Sequence, residues 1–228
     1  LIMSEISIDN FERTERIIDE FFDVVRKNNL NLYNEFSFQF EFGIFLRGKF
    51  PLPEFKVEFE RNVEILNKNK DIFTKKEIDV IVYKDSPEGK KEFLWAIELK
   101  FPRKGQTPEQ IFKIVEDIKF CEELSCNGFR RATQVTLVDE DYQGKSFFEI
   151  AGKNTGIYEY FRSSFVDEFK SRTLENTIHK PTGNLKDQKK YQLKGKYQIE
   201  WIKEWEKSSK LKQKIVFFYI DVDVGKGV

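Results

Sequence analysis

The sequence contains very little histidine and cysteine, with one His and two Cys among 228 residues. A common zinc site takes about four ligands from these two residue types, so that class of protein is excluded. Cys121 and Cys126 lie five residues apart on or just after a predicted helix, and this spacing is awkward for a disulfide bond. We therefore expect two reduced, partly buried thiols.

Long apolar runs and an excess of one charge are also missing. No stretch approaches the roughly 20 apolar residues that cross a bilayer, and the first residues lack the basic and apolar regions of a signal peptide. We therefore expect a cytoplasmic protein without a membrane partner. Lys plus Arg and Asp plus Glu each number 39, which excludes a general polycation but leaves room for a local basic groove.

What the sequence does contain is the composition of a globular protein. Hydrophobic residues make up 39% of the chain and aromatic residues 15%, which is enough to build a core. The sequence shows neither an internal repeat nor a convincing linker. A single domain covering residues 1–228 is therefore predicted.

Two helices are predicted in the first part of the chain. Residues 7–28 have apolar side chains at helical spacing. Residues 33–46 are ambiguous, because the apolar positions 36, 38, 40 and 42 alternate as in a strand, whereas 36, 40 and 44 fit one helix face. The helix is favoured because a polar Arg-Gly-Lys run and two prolines follow it.

The sequence pattern in the middle of the chain predicts a β-sheet in which one helix connects the last two strands. Residues 55–66, 77–83 and 93–101 have strand patterns, and the third is apolar enough for the centre of a sheet. Thr107-Pro108 then starts a helix, and 133–138 is a further strand, so the last two strands should be parallel. The predicted fold class is α/β (α+β): a central mixed β-sheet flanked by helices, in the order α-β-β-β-α-β.

The chain after this point is predicted as an elaboration, about 141–228, of a core that covers about 30–140. Residues 157–169 have helical spacing. Residues 179–190 are polar and contain proline and glycine, which favours a loop or mobile flap. Residues 197–205 and 215–222 are predicted as two late strands, joined by a charged turn, that extend the sheet at its C-terminal end.

Two of the predicted strands carry charged residues in apolar surroundings. Asp79 lies on one strand, and Glu98 and Lys100 share a face of the next because side chains alternate along a strand. Charged groups there have a desolvation cost that proteins seldom accept without a return. If Asp79 lies opposite Glu98, their carboxylates repel each other unless a cation lies between them, and such ligands suit Mg²⁺ or Mn²⁺.

This pattern resembles the signature of the PD-(D/E)XK nuclease superfamily: Asp79, then 18 residues, then Glu98-Leu99-Lys100. Ile78 stands where the family usually has proline. The resemblance implies a restriction-endonuclease-like core and a Mg²⁺-dependent (or Mn²⁺-dependent) endonuclease that hydrolyses DNA. It also implies that Asp79 and Glu98 hold the metal and that Lys100 orients or deprotonates the attacking water.

The resemblance implies further site residues on the two helices that flank these strands. Members of the family often add an acidic residue from the helix before the sheet. Glu35 is the best match, as a catalytic residue and metal ligand, and Glu41 is the second. Many members also use a polar residue of the following helix, where Gln110 or Lys113 would fall.

Other interpretations of the same residues stay open. The charged residues can instead form a cross-strand ion pair on a solvated face of the sheet. The protein can be a nuclease-like domain without catalysis that binds nucleic acid or a protein partner, or a small nucleotide or RNA enzyme on the same fold. Cleavage of both strands of a duplex needs two active sites or sequential nicking, so a homodimer is a possible assembly.

Overall fold

The computed structural model describes residues 14–102, 107–139, 155–163, 171–182, 189–203 and 215–222. Its α-helices in these ranges are α1 (Thr14–Asn28), α2 (Glu35–Lys49) and α3 (Thr107–Cys126). Its strands are β1 (Phe55–Asn62), β2 (Glu77–Asp85), β3 (Lys91–Lys100), β4 (Arg131–Asp139), β5 (Thr177–His179), β6 (Lys190–Gln192), β7 (Ile202–Lys203) and β8 (Ile215–Val222). Short 3₁₀ helices cover Val63–Leu66, Lys70–Ile72 and Gly156–Tyr160.

Six strands form one mixed sheet in the order β1-β2-β3-β4-β8-β7. Strands β1, β2 and β3 pair antiparallel, whereas β3 and β4 are parallel and are connected through α3. Strand β8 then pairs antiparallel with β4, and β7 with β8. The expected mixed sheet with flanking helices is confirmed, as is a late strand that extends it.

Helices cover both faces of this sheet, and β3 shows how the faces are divided. Trp95, Ile97 and Leu99 are buried in one hydrophobic cluster with α1 and α2. Ala96 points the other way, into a second cluster that contains the apolar side of α3. A charged side chain on either face of the buried part of β3, residues 94–99, is therefore enclosed by protein, which makes its desolvation expensive.

The ambiguous segment 33–46 forms helix α2, as favoured from the sequence. Asn34 caps it: its side chain accepts a hydrogen bond from the Ser37 backbone N–H (2.6 Å), and its own N–H donates to the Ser37 hydroxyl (3.0 Å). This capping box satisfies backbone donors that a helix start leaves free. Because the cap defines where α2 begins, it also holds Glu35, the first helical residue, in place.

The other elements of the predicted core are close to their expected bounds. Helix α3 and the strands at 77–83, 93–101 and 133–138 are found within about two residues, which is the usual disagreement at element ends. The first strand ends at Asn62 rather than residue 66, because Asn62 caps the 3₁₀ helix that follows. Helix α1 is confirmed from Thr14 onward, and the predicted residues 7–13 lie outside the described ranges.

Predictions for the C-terminal part were less accurate. The expected helix at 157–169 is a 3₁₀ helix of five residues in the described part, and residues 164–170 lie outside it. The expected loop at 179–190 was wrong at both ends, where β5 and β6 pair antiparallel. Of the expected strand at 197–205, the described residues 197–203 contribute a single bridge, at Tyr197, and the two-residue strand β7. These strands are too short for the alternating pattern that predicts a strand, and β6 is stabilised instead by contacts with α3, where Glu116 accepts a hydrogen bond from Tyr191.

In the described ranges, none of the helices combines the length and the apolar character needed to cross a membrane. The two cysteines are unpaired thiols: Cys121 is buried in α3 and Cys126, at its end, is exposed. This agrees with the expectation of reduced thiols.

Candidate functional site

Asp79 and Glu98 meet across the antiparallel pair β2 and β3. Val80 pairs with Ile97, and continuing this register by one residue puts Asp79 opposite Glu98. The backbone N–H of Asp79 donates to Glu98 Oε1 (3.3 Å), and the N–H of Leu99 donates to Asp79 Oδ2 (2.7 Å). The two carboxylates thus lie side by side at the end of the strand pair.

The face that carries Glu98 and Lys100 is polar within an otherwise apolar layer. In the parallel pair with β4, Glu98 lies opposite Gln134 and Lys100 opposite Thr136. Gln134 and Thr136 are buried, and the Gln134 amide donates to the Thr136 hydroxyl at 2.7 Å. A row of polar side chains therefore crosses β3 and β4 beneath α3.

Helix α3 adds a third acid, Asp117, which is 1% exposed. Its Oδ1 accepts a hydrogen bond from the Lys75 ammonium at 2.8 Å. Its Oδ2 is buried, accepts no hydrogen bond from the described residues, and lies 3.5 Å from the Lys100 ammonium. A buried carboxylate oxygen without a hydrogen bond is uncommon and calls for a functional explanation.

Lys75 lies between two of these carboxylates. It follows the 3₁₀ helix before β2, and its ammonium forms an ion pair with Glu98 as well as with Asp117. Burial by itself lowers the pKa of Lys75, but the surrounding carboxylates outweigh this, so that its pKa lies well above the ordinary lysine value. Lys75 is therefore charged and acts as the internal counter-ion of the acidic cluster.

The pKa values of the two strand carboxyls are raised in spite of this lysine. Burial raises the pKa of Asp79 to about 6, with Lys75 opposing the shift and the charge of Asp117 adding to it. Burial and the neighbouring charge of Asp79 raise the pKa of Glu98 well above its ordinary value. Negative charge is thus concentrated here beyond what Lys75 neutralises, which favours binding of a cation.

Lys100 is held at the opposite side of the cluster by Glu35. The Lys100 ammonium lies 3.4 Å from the Glu35 carboxylate, which also accepts a hydrogen bond from the Phe101 N–H at 3.2 Å. Burial lowers the pKa of Lys100, but Asp117 and Glu35 outweigh this and raise it above the ordinary value. The lysine is charged and fixed between two acids.

Helix α2 contacts both strands of the site from one end. Glu35 reaches the end of β3 as described, and the Gln39 amide donates to the backbone carbonyl of Asp79 at 2.9 Å. The same amide donates to the exposed carboxylate of Glu60 at 2.6 Å. The start of α2 therefore lies at the ends of β2 and β3, where the charged residues meet.

The structure thus brings together all four residues singled out in the sequence, Asp79, Glu98, Lys100 and Glu35. The α3 residue that reaches the site is Asp117, two turns beyond the expected Gln110 or one beyond Lys113. The sequence held one clue to it, because Asp117 lies among the apolar positions 114, 118 and 121 of a single helix face. Lys75 gave no such signal within its lysine-rich turn.

The donor set of the site fits a hard divalent cation. Asp79, Glu98, Asp117 and Glu35 carry four negative charges when ionised, against two positive charges on Lys75 and Lys100, so the cluster keeps a net negative charge that attracts a dication. Carboxylate oxygens are the ligands that Mg²⁺ and Mn²⁺ prefer. Within the described residues, the acids are not gathered in a group of three around one point, since Glu98 and Asp117 point at the Lys75 ammonium.

Comparison with known proteins yields no match to a family model, a curated protein or a solved structure. The assignment of the site therefore depends on its own chemistry and on the sequence motif.

Proposed function

We propose that this protein is a metal-dependent nuclease of the PD-(D/E)XK type, which hydrolyses phosphodiester bonds of DNA with Mg²⁺ or Mn²⁺. One observation carries the proposal: the Asp79 and Glu98 carboxylates meet across β2 and β3, with Lys100 on the same polar face. The order of elements from α2 to β4 supports a restriction-endonuclease-like core. The solvated-face interpretation is disfavoured, because Glu98 is completely buried.

In this proposal Asp79 and Glu98 hold the cation. Bound there, it would supply Lewis-acid charge that favours deprotonation of a water and stabilises the phosphoryl oxygens. The hydrogen bond from the Leu99 N–H occupies only one oxygen of Asp79, so the other remains free to act as a ligand. Leu99 thereby orients the Asp79 carboxylate before any cation binds.

Lys100 has an electrostatic role in the proposed reaction. Hydrolysis forms a bond between a water oxygen and phosphorus, breaks the bond from phosphorus to one ester oxygen, and transfers the water proton to solvent and then to the departing oxygen. The products are a phosphomonoester and a hydroxyl. Because Lys100 is charged, it orients the attacking water and stabilises negative charge on the phosphoryl oxygens. For Glu35 we propose that its main role is to position Lys100, and that binding of the metal is secondary.

Cleavage of supercoiled plasmid DNA tests this proposal. With Mg²⁺ or Mn²⁺ the wild type should convert plasmid to nicked or linear DNA, and chelation should stop it. Asp79→Asn and Lys100→Met should each lower the rate at least about 100-fold, because they remove a metal ligand and the charge beside the phosphate. Asp71→Asn, an exposed acid before β2, is the matched control and should keep the wild-type rate.

A wild type that cuts neither DNA nor RNA with any divalent cation would contradict the proposal. One observation favours the alternative, a nuclease-like domain that binds nucleic acid or a protein partner without cleaving: the Lys75 ammonium already forms ion pairs with Glu98 and Asp117, where a metal ion would otherwise bind. A gel-shift titration with plasmid fragments separates the two, since the alternative requires binding that neither depends on a divalent cation nor leads to cleavage.

A further inference from the structure

The Lys75 side chain is held in the acidic cluster by a fixed backbone. The residue before it, Thr74, donates its backbone N–H (2.6 Å) and its hydroxyl (2.7 Å) to the two carboxylate oxygens of Glu123 on α3. The residue after it, Lys76, accepts a hydrogen bond at its carbonyl from Val63 (2.9 Å). Movement at this position therefore involves the Lys75 side chain and not the loop.

The Lys75 ammonium lies where a metal ion would have to bind. It pairs with Glu98 and with Asp117 Oδ1, and its side chain remains 24% exposed, so a path to solvent exists. The aromatic ring of Phe120 lies 5.6 Å from the ammonium. A dication between Glu98 and Asp117 would repel this ammonium and compete with it for Glu98 Oε2 and Asp117 Oδ1, so binding of one disfavours binding of the other.

Asp117 has an oxygen available for a ligand. Its Oδ2 is buried without a hydrogen bond from the described residues, although it faces the Lys100 ammonium at 3.5 Å. Asp117 also comes from the helix that covers the site, so a ligand held by Asp117 and Glu98 would link α3 to the sheet. This oxygen has an ionic neighbour in Lys100 but accepts no hydrogen bond from the described residues, and this observation, independent of Lys75, indicates that it can take a further ligand.

From this geometry we infer that Lys75 and a divalent cation exchange at one site: Lys75 pairs with Glu98 and Asp117 when metal is absent, and the arriving cation displaces its ammonium and takes Asp117 as a third carboxylate ligand beside Asp79 and Glu98. This inference rests on the proposed function for the presence of a metal. The inference adds Asp117 as a ligand that the motif does not contain. It also makes Lys75 an internal competitor, which raises the metal concentration needed to occupy the site.

Calorimetric titration with Mn²⁺ in the absence of DNA tests the exchange without using activity. Lys75→Met should bind Mn²⁺ at least tenfold more tightly than the wild type, because the competing charge is gone. Asp117→Asn should bind it at least tenfold more weakly. Lys76→Met is the matched control, since this adjacent lysine is exposed and pairs with Asp71, and it should bind Mn²⁺ as the wild type does.

A second measurement uses the unaltered protein, in case Lys75→Met does not fold. Acetylation of lysines by an amine-reactive reagent, read by mass spectrometry with and without saturating Mg²⁺ at one pH, should show Lys75 labelled severalfold faster with metal. Lys90, whose side chain is 82% exposed, is the internal control and should not change.

The outcomes separate this inference from the nuclease proposal. The exchange is overturned if Mg²⁺ leaves Lys75 labelling unchanged, or if folded Lys75→Met binds Mn²⁺ no more tightly than wild type, even when the wild type cleaves DNA. It is also overturned if neither protein binds Mn²⁺. Metal binding with release of Lys75 but no cleavage supports the exchange and counts against the nuclease.

Discussion

The Asp79 carboxyl lies partly buried beside two further acids, Glu98 and Asp117, and this arrangement has a thermodynamic consequence. Burial raises the pKa of Asp79 from an ordinary value near 3.8 to about 6. The folded protein therefore holds this proton more tightly than the unfolded chain does. At a pH below about 4 both states are protonated and the group contributes nothing. As the pH rises from 4 to 6, the unfolded state gains from ionisation, so stability falls.

We therefore predict that Asp79→Asn is more stable than the wild type near pH 7.5 in metal-free buffer. The gain should be about 3 kcal/mol, from a shift of roughly two pKa units, and it should disappear as the pH is lowered toward 4. Urea denaturation at a series of pH values measures this. A difference between the two proteins that stays constant with pH would contradict the assignment of a raised pKa to Asp79.

This prediction places Asp79 among residues that are kept in spite of their effect on folding. A carboxylate that lowers stability at neutral pH, but is oriented by the Leu99 N–H, is typical of a functional position. Glu98 has the same character, since it is completely buried and its pKa is raised by burial and by Asp79.

At the level of secondary-structure elements, the start of α2 connects helix stability to the site. The capping box of Asn34 and Ser37 fixes the first turn, and Glu35 in that turn holds Lys100. Loss of the cap should therefore lower the free energy of unfolding and also disturb the position of Lys100.

The prediction is that Asn34→Ala lowers the free energy of unfolding by about 1 kcal/mol, because it removes the side-chain acceptor for the Ser37 N–H. Asn34→Ser keeps a capping oxygen, so its free energy of unfolding should fall by no more than a few tenths of a kcal/mol. Chemical denaturation followed by circular dichroism measures both. Equal stability of the alanine and serine variants would show that the cap contributes little.

Carboxylates along helix α3 connect this helix to several other parts of the molecule. Glu123 binds the loop that carries Lys75, and Glu116 binds the Lys189 and Tyr191 side chains of the β5–β6 pair. Glu122 is buried and accepts the backbone N–H groups of Lys194 (2.7 Å) and Gly195 (2.8 Å) and the Tyr197 hydroxyl (2.9 Å). Whereas Asp117 faces the sheet, Glu116 and Glu122 attach the C-terminal segments to the core.

For the whole molecule we predict that Glu122→Ala leaves three partly buried donors without their acceptor and lowers the free energy of unfolding by about 2–4 kcal/mol. The amides of Lys194 and Gly195 should exchange hydrogen at least tenfold faster, as measured by mass spectrometry. Glu122→Gln retains an acceptor oxygen and should lie between alanine and wild type. Glu200→Ala, which changes an exposed acid of the same region, should leave stability and exchange unaltered.

The local pattern of the sequence determined the strands of the core, the helix after them and the common face of Glu98 and Lys100. These properties follow from side-chain alternation and capping residues, which act within a few positions of the chain. Whether Asp79 meets Glu98 could not be decided from this pattern, because the answer depends on how the residues of β2 pair with those of β3. The sequence therefore predicted a shared cation site only for the case in which Asp79 lies opposite Glu98.

Only the tertiary structure decided which residues complete the site and what neutralises it. Lys75 and Asp117 lie 42 positions apart, and they meet because α3 packs on the face of the sheet that carries Glu98. Strand β6 likewise contacts a carboxylate of α3, Glu116, and β5 pairs with β6, so neither is indicated by a local pattern. Periodicity determines which face of an element is buried, whereas the packing of elements determines which charged groups share that interior, and this packing unites Asp79, Glu98 and Lys100 with Asp117 and Lys75.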